Sequence, residues 1–116
     1  MSQNTLVEKH FTVGDRRTAL ADTLQDANGT AINLTGHTVE LKVVSDAGTV
    51  IINFAAATVD TAASGYVSYA FSAGDATALI AGTYWYWWRI TRTSDGLKET
   101  FPADGRLRKL VMVTPG

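Results

Sequence analysis

The side chains in this sequence best suited to chemistry are aromatic, and the chemistry they suit is recognition. Tyr84, Trp85, Tyr86, Trp87 and Trp88 stand in succession, followed by Arg89 and Ile90. Indoles and guanidinium groups carry much of the energy of protein interfaces, because each combines a large contact area with directed hydrogen bonds. A strand sends alternate side chains to opposite faces. With Ile90 inward, Tyr84, Tyr86 and Trp88 share the buried face, and Trp85, Trp87 and Arg89 stand on the outer one. The opposite phase would take the charge of Arg89 out of water. Trp85, Trp87 and Arg89 are therefore the leading candidate contact surface. Two other readings of the indoles stay open. The N-terminal segment or a long connection could fold over them within the domain, since a large exposed apolar patch is uncommon on a monomer. Alternatively they form a stacking platform for carbohydrate, flanked in part by Arg89 and Thr91.

Other chemistries find little support. His10 and His37 are the only histidines, they are far apart, and no cysteine is present, so the ligand sets of a transition-metal site are missing. No Gly-x-Ser-x-Gly elbow accompanies the many hydroxyl residues, and no glycine cluster stands between a strand and a long helix to cradle phosphate. The acids Asp15, Asp26, Asp46, Asp60, Asp75, Asp95 and Asp104 fall in turns, where carboxylates accept from backbone amides, and they lack the spacing of a calcium loop. The expectation is a protein without catalytic residues, metal or cofactor. Arg106, Arg108 and Lys109, with Arg16 and Arg17, form the basic groupings. Arg106 and Arg108 share one face of the last strand, away from Leu107 and Lys109, which leaves its inward phase open; the expectation is solvated or edge charges that discourage strand pairing, or else groups that dock to an acidic partner.

These side chains need a β framework. Turn signals such as Gly14-Asp15, Asn28-Gly29, Asp46-Ala47-Gly48, Ser64-Gly65, Ala81-Gly82, Asp95-Gly96 and Asp104-Gly105 recur every roughly 8–12 residues. Thr38–Val44 and Thr49–Phe54 flank a Ser45–Gly48 turn and read as a hairpin, with Val39, Leu41 and Val43 on one face and Glu40 and Lys42 on the other. Tyr66–Phe71, Thr83–Arg92, Leu97–Phe101 and Arg106–Thr114 read as further strands, with a turn from Phe101 to Gly105. A single helical turn over Asp75–Ile80, capped by Asp75, is the one helix expected. The fold class is all-β, an immunoglobulin-like antiparallel β-sandwich of about seven to nine strands. Residues 1–10 read as a tail or an arm that orders on a neighbour, and 11–116 as the domain.

The 116-residue chain has the size of one domain, and its 46% hydrophobic and 18% charged residues are ordinary globular usage. Ten basic and eleven acidic residues leave a net charge of -1, which offers no field for nucleic acid or an anionic membrane. No stretch has the length of a signal-peptide core or a membrane span, so the expectation is a soluble protein made in the cytoplasm.

The order of motifs resembles a known family. Phe11-Thr12-Val13-Gly14-Asp15, Leu20 to Leu24, Asp26-Ala27-Asn28-Gly29 and Ile32-Asn33-Leu34-Thr35-Gly36-His37-Thr38-Val39 are similar to the immunoglobulin-like N-terminal domain of tailed-phage baseplate upper proteins and related virion proteins. Ala63-Ser64-Gly65-Tyr66-Val67, Gly74-Asp75, Ala81-Gly82-Thr83-Tyr84, and Asp95-Gly96 followed by Glu99-Thr100-Phe101-Pro102 continue the likeness, which spans about Phe11 to Val113. It implies a non-enzymatic virion component, an adaptor or decoration protein of tail, baseplate or capsid, located in the particle and homo-oligomeric there, with other virion proteins as partners. A glycan-binding or host-attachment module is the alternative. Two departures stand out. Asp22 occupies a position usually apolar and inward, so its strand is an edge or Asp22 meets an interface partner. The chain stops at Gly116, where the family domain often begins a longer protein, which suggests a separate component.

Overall fold

The computed structural model describes residues 6–16, 19–26, 28–101 and 107–114. Nine strands are present among them: β1 Leu6–Thr12, β2 Leu20–Thr23, β3 His37–Ser45, β4 Val50–Ala56, β5 Thr58–Thr61, β6 Tyr66–Tyr69, β7 Gly82–Arg92, β8 Lys98–Phe101 and β9 Leu107–Val113. They form an all-β sandwich. The larger sheet has the order β1-β9-β7-β3-β4, with β8 also paired to β7, and the smaller has the order β2-β6-β5. No helix among the described residues is long and apolar enough to cross a membrane.

The sheets form where period-two patterning is strongest. In β7, aromatic and β-branched residues favour the pleated backbone, and Tyr84, Tyr86, Trp88 and Ile90 turn inward and are buried. The neighbouring β3 matches them with Val39, Leu41 and Val43, all buried. From the smaller sheet, Leu20, Val67 and Tyr69 close on this layer, with Leu24, Leu34, Phe71 and Leu79 filling in from the connections. Each such buried side chain contributes about 1.5–3 kcal/mol by leaving water. One side of the sandwich is shut by the chain itself: β4 lies in the larger sheet, Ala57 donates its backbone N–H to Val39, and β5 continues in the smaller sheet.

Several expectations change. The segment read as a tail up to residue 10 becomes a strand at Leu6, because β1 runs parallel to β9 over Leu6–Thr12 and makes the larger sheet mixed and not purely antiparallel. The short β5 carried no usable alternation and was not expected. The helical turn spans Ala73–Ala78 (α1), and its cap is Ser72: the Ser72 hydroxyl accepts from the Asp75 N–H while the Asp75 carboxylate accepts from the Ser72 N–H. The turn expected beyond Phe101 lies outside the described residues. Gly65 ends a short 3₁₀ turn at a φ of 67°, where a Cβ would come within 2.7 Å of the carbonyl oxygens of Leu24 and Ile32. Only glycine fits there, and its carbonyl accepts from the Leu24 N–H.

Candidate functional site

The outer face of the larger sheet carries the candidate surface. Across it, Val50, Val44, Trp85, Lys109 and Glu8 lie in one cross-strand row, and Ala56, Glu40, Arg89 and Thr100 in another. Trp87 lies between these rows opposite Lys42. The structure thus brings Trp85, Trp87 and Arg89 onto one face of β7, as the alternation of the strand requires, and leaves all three half-buried.

Local structure holds Trp85 and Arg89. The Trp85 indole N–H donates to Asp46 Oδ1 at 3.1 Å, and Asp46 stands in the turn between β3 and β4. Arg89 bonds Glu40 through Nε at 2.9 Å and Nη2 at 2.8 Å, both to the same carboxylate oxygen. The other side of the guanidinium is covered by Phe54, whose ring centroid lies 3.8 Å away, with Lys42 Nζ at 5.4 Å from the same centroid. Stacking a cation on an aromatic face at a partly exposed site contributes about 0.5–1 kcal/mol.

Phe54 reaches that position by an unusual backbone. Between the Leu41/Ala55 and Val43/Ile52 pairs the register of β4 against β3 shifts, and Phe54 sits in this bulge at a φ of 50°. It is the one non-glycine residue with positive φ among those described. For a bulky side chain this conformation costs on the order of 1–2 kcal/mol, and such strain collects at functional sites. Among the described residues, the contacts to Trp85 and Arg89 on this face come from β3, β4 and the β3–β4 turn. The N-terminal strand lies in the plane of the sheet, at its edge, and does not fold across the indoles.

Arg108 does not belong to this surface. Expected as an exposed or edge charge, it is 2% exposed and faces inward with Leu110 and Met112. Its Nε lies 3.6 Å from Asp22 Oδ2. Asp22, also buried, accepts from the Tyr86 hydroxyl at 3.0 Å and the Trp88 indole N–H at 2.8 Å, and Lys9 Nζ lies 3.8 Å from its other oxygen. Of the two alternatives for Asp22, the structure shows the edge: β2 lies at the edge of the smaller sheet, and the partners of Asp22 just named belong to its own domain. This polar cluster joins β2 to β1, β7 and β9 across the two sheets. Burial, then the neighbouring carboxylate of Asp22, pushes the Tyr86 phenol far above its ordinary range. Arg106 lies outside the described residues.

Phe54, Asp46 and Glu40 complete the outer face; the sequence pattern places Glu40 outward on β3, but does not link any of the three to Trp85 or Arg89. Glu40 was on the right face of β3 and could have been paired with Arg89 by register. The remaining polar groups have local duties. His10 bonds Glu8 at 2.6 Å, His37 contacts the Thr35 carbonyl, Asp26 accepts from the N–H groups of Asn28 and Thr30, and Asp95 binds Arg92 twice and the Leu97 N–H. Among the described residues no three histidine, aspartate or glutamate side chains converge as metal ligands. No protein-family model matches the chain, and no match to a curated protein is found.

Proposed function

We propose that this chain is a non-enzymatic assembly module of a phage particle, an adaptor or decoration protein whose sandwich packs on other virion subunits through the outer face of its larger sheet. The observation that carries the reading is the fixed state of that face. Trp85 is tethered by Asp46, and Arg89 is held between Glu40 and Phe54, so little side-chain freedom is lost when a partner closes on them. Two indoles and a stacked arginine on a rigid sheet are the makings of a binding hot spot. The resemblance between Phe11 and Val113 to baseplate upper proteins supplies the setting, and homo-oligomerisation in the particle belongs to the same reading.

Particle incorporation tests it. Trp87→Ala and Arg89→Ala variants that fold normally are expected to be lost from assembled particles, while substitution of the exposed Thr58 on the smaller sheet is tolerated. Retention of both variants at wild-type occupancy would defeat the proposal. The alternative, a glycan-binding module, is favoured by the in-line spacing of Trp85 and Trp87 on one strand face. It predicts loss of glycan binding on Trp85→Ala with incorporation intact.

A further inference from the structure

The edges of the two sheets differ as templates for another strand. Strands β2, β5 and β8 have four residues each, and β4 carries two register shifts with Phe54 bent out of the pleat. Short length and bulges are the usual ways an edge is kept from pairing. Only β1 offers a long regular edge: seven residues in unbroken register with β9, and no second partner strand among the described residues.

We propose that β1 is a self-association edge, at which a second copy of this chain adds antiparallel about a two-fold axis at Lys9. The polar side chains of β1 select that register. Side chains directly opposite in an antiparallel pair share a face, and opposite charges there stabilise while like charges oppose. With Lys9 on the axis, Glu8 of each copy faces His10 of the other, twice over, on the outer face. Shifting the axis to His10 would set the two His10 rings against each other, and shifting it to Glu8 would do the same to the carboxylates. The like pair at Lys9 is relieved because each ammonium is drawn inward toward its own Asp22, at 3.8 Å. Glu8 and His10 already share a face within one chain, where they bond at 2.6 Å, and Lys109 Nζ stands 3.8 Å from Glu8. In the pair, the row Val44, Trp85, Lys109, Glu8 continues into His10, Val111 and Thr83 of the second copy. The two larger sheets then become one continuous sheet, and both aromatic faces look the same way. An isologous pair of this kind closes on itself and does not grow into a fibre.

This inference deepens the homo-oligomeric part of the proposed function, and it is tested on the purified chain so that its failure is separate from any failure in particles. Sedimentation equilibrium is run on wild type, His10→Glu, Glu8→Lys and an equimolar mixture of the two variants, with circular dichroism confirming that each is folded. The wild type is expected to dimerise. His10→Glu places carboxylate against carboxylate at two sites, and Glu8→Lys leaves each imidazole without its carboxylate partner and opposite an ammonium, so each alone weakens the dimer by about tenfold. Their mixture sets a carboxylate against an imidazole at one site and against an ammonium at the other, and is expected to recover a heterodimer. A wild type that stays monomeric up to millimolar concentration, a dimer indifferent to His10→Glu, or a mixture no tighter than the single variants would each overturn the proposal.

Discussion

Replacing Asp22 by alanine is expected to be the most costly single truncation of a polar side chain in this fold. Its carboxylate is buried and holds two donors from β7, the Tyr86 hydroxyl at 3.0 Å and the Trp88 indole at 2.8 Å, beside the buried Arg108 at 3.6 Å. A buried donor that loses its acceptor costs about 1–3 kcal/mol, and removing one member of a buried ion pair about 3–5 kcal/mol. The contributions overlap, so the total is placed at about 3–5 kcal/mol. With about 4 °C lost per kcal/mol for a domain of this size, the melting temperature falls by roughly 12–20 °C. Urea denaturation followed by tryptophan fluorescence measures the loss, since Trp88 is part of the cluster. Asp22→Asn keeps one acceptor oxygen and is expected to lose less. A cost for Asp22→Ala below about 1 kcal/mol, the scale of an ordinary surface change, would refute the assigned geometry.

Other outcomes follow from the same structure. Gly65→Ala is expected to destabilise by about 2 kcal/mol or more, since the new methyl meets two carbonyl oxygens at a backbone angle that suits glycine; chemical denaturation measures it. A double-mutant cycle on Phe54→Leu and Arg89→Met should give a coupling of about 0.5–1 kcal/mol, and zero coupling would mean that the stack contributes nothing. Ser72→Ala removes one half of the α1 capping box and should cost about 1 kcal/mol. Burial, then the hydrogen bond to Asp75, raises the Tyr69 phenol from 10.0 to about 12. Unfolded tyrosine gives up its proton first, so this contribution to stability is complete below about pH 10 and is lost as pH climbs toward about 12. A melt series across that window should show the decline, and Tyr69→Phe should make it shallower.

Much of this architecture was legible in the chain because period-two alternation survives folding. Val39, Leu41 and Val43 on β3, and Tyr84, Tyr86, Trp88 and Ile90 on β7, are buried as the pattern requires. The outward phase of Trp85, Trp87 and Arg89 followed from the same reasoning. The last strand was harder, since Leu110 and Met112 pull one phase inward while Leu107, Val111 and Val113 pull the other. Pairing of Leu110 with Tyr84 decides it and carries Arg108 into the core. A signal was available: Asp22 shares the phase of Leu20 and Leu24, so one acid and one base of opposite charge stood at inward positions on different strands. The place of Phe54 had no such signal. A bulge and a positive φ are set by how β4 must bend to cross from one sheet to the other, which depends on tertiary packing. The parallel β1 was likewise hidden, because Glu8, Lys9 and His10 are polar, and Lys9 and Glu8 find charged partners, Asp22 and Lys109, on other strands.

The outer face of the larger sheet is the centre of the functional account, and direct imaging of assembled particles that contain this chain tests it best. The account predicts density for the sandwich in repeated copies, with Trp85, Trp87 and Arg89 closed against a neighbouring subunit. Particles lacking the chain, or a sandwich whose outer face is turned to solvent while another surface makes the contacts, would contradict it.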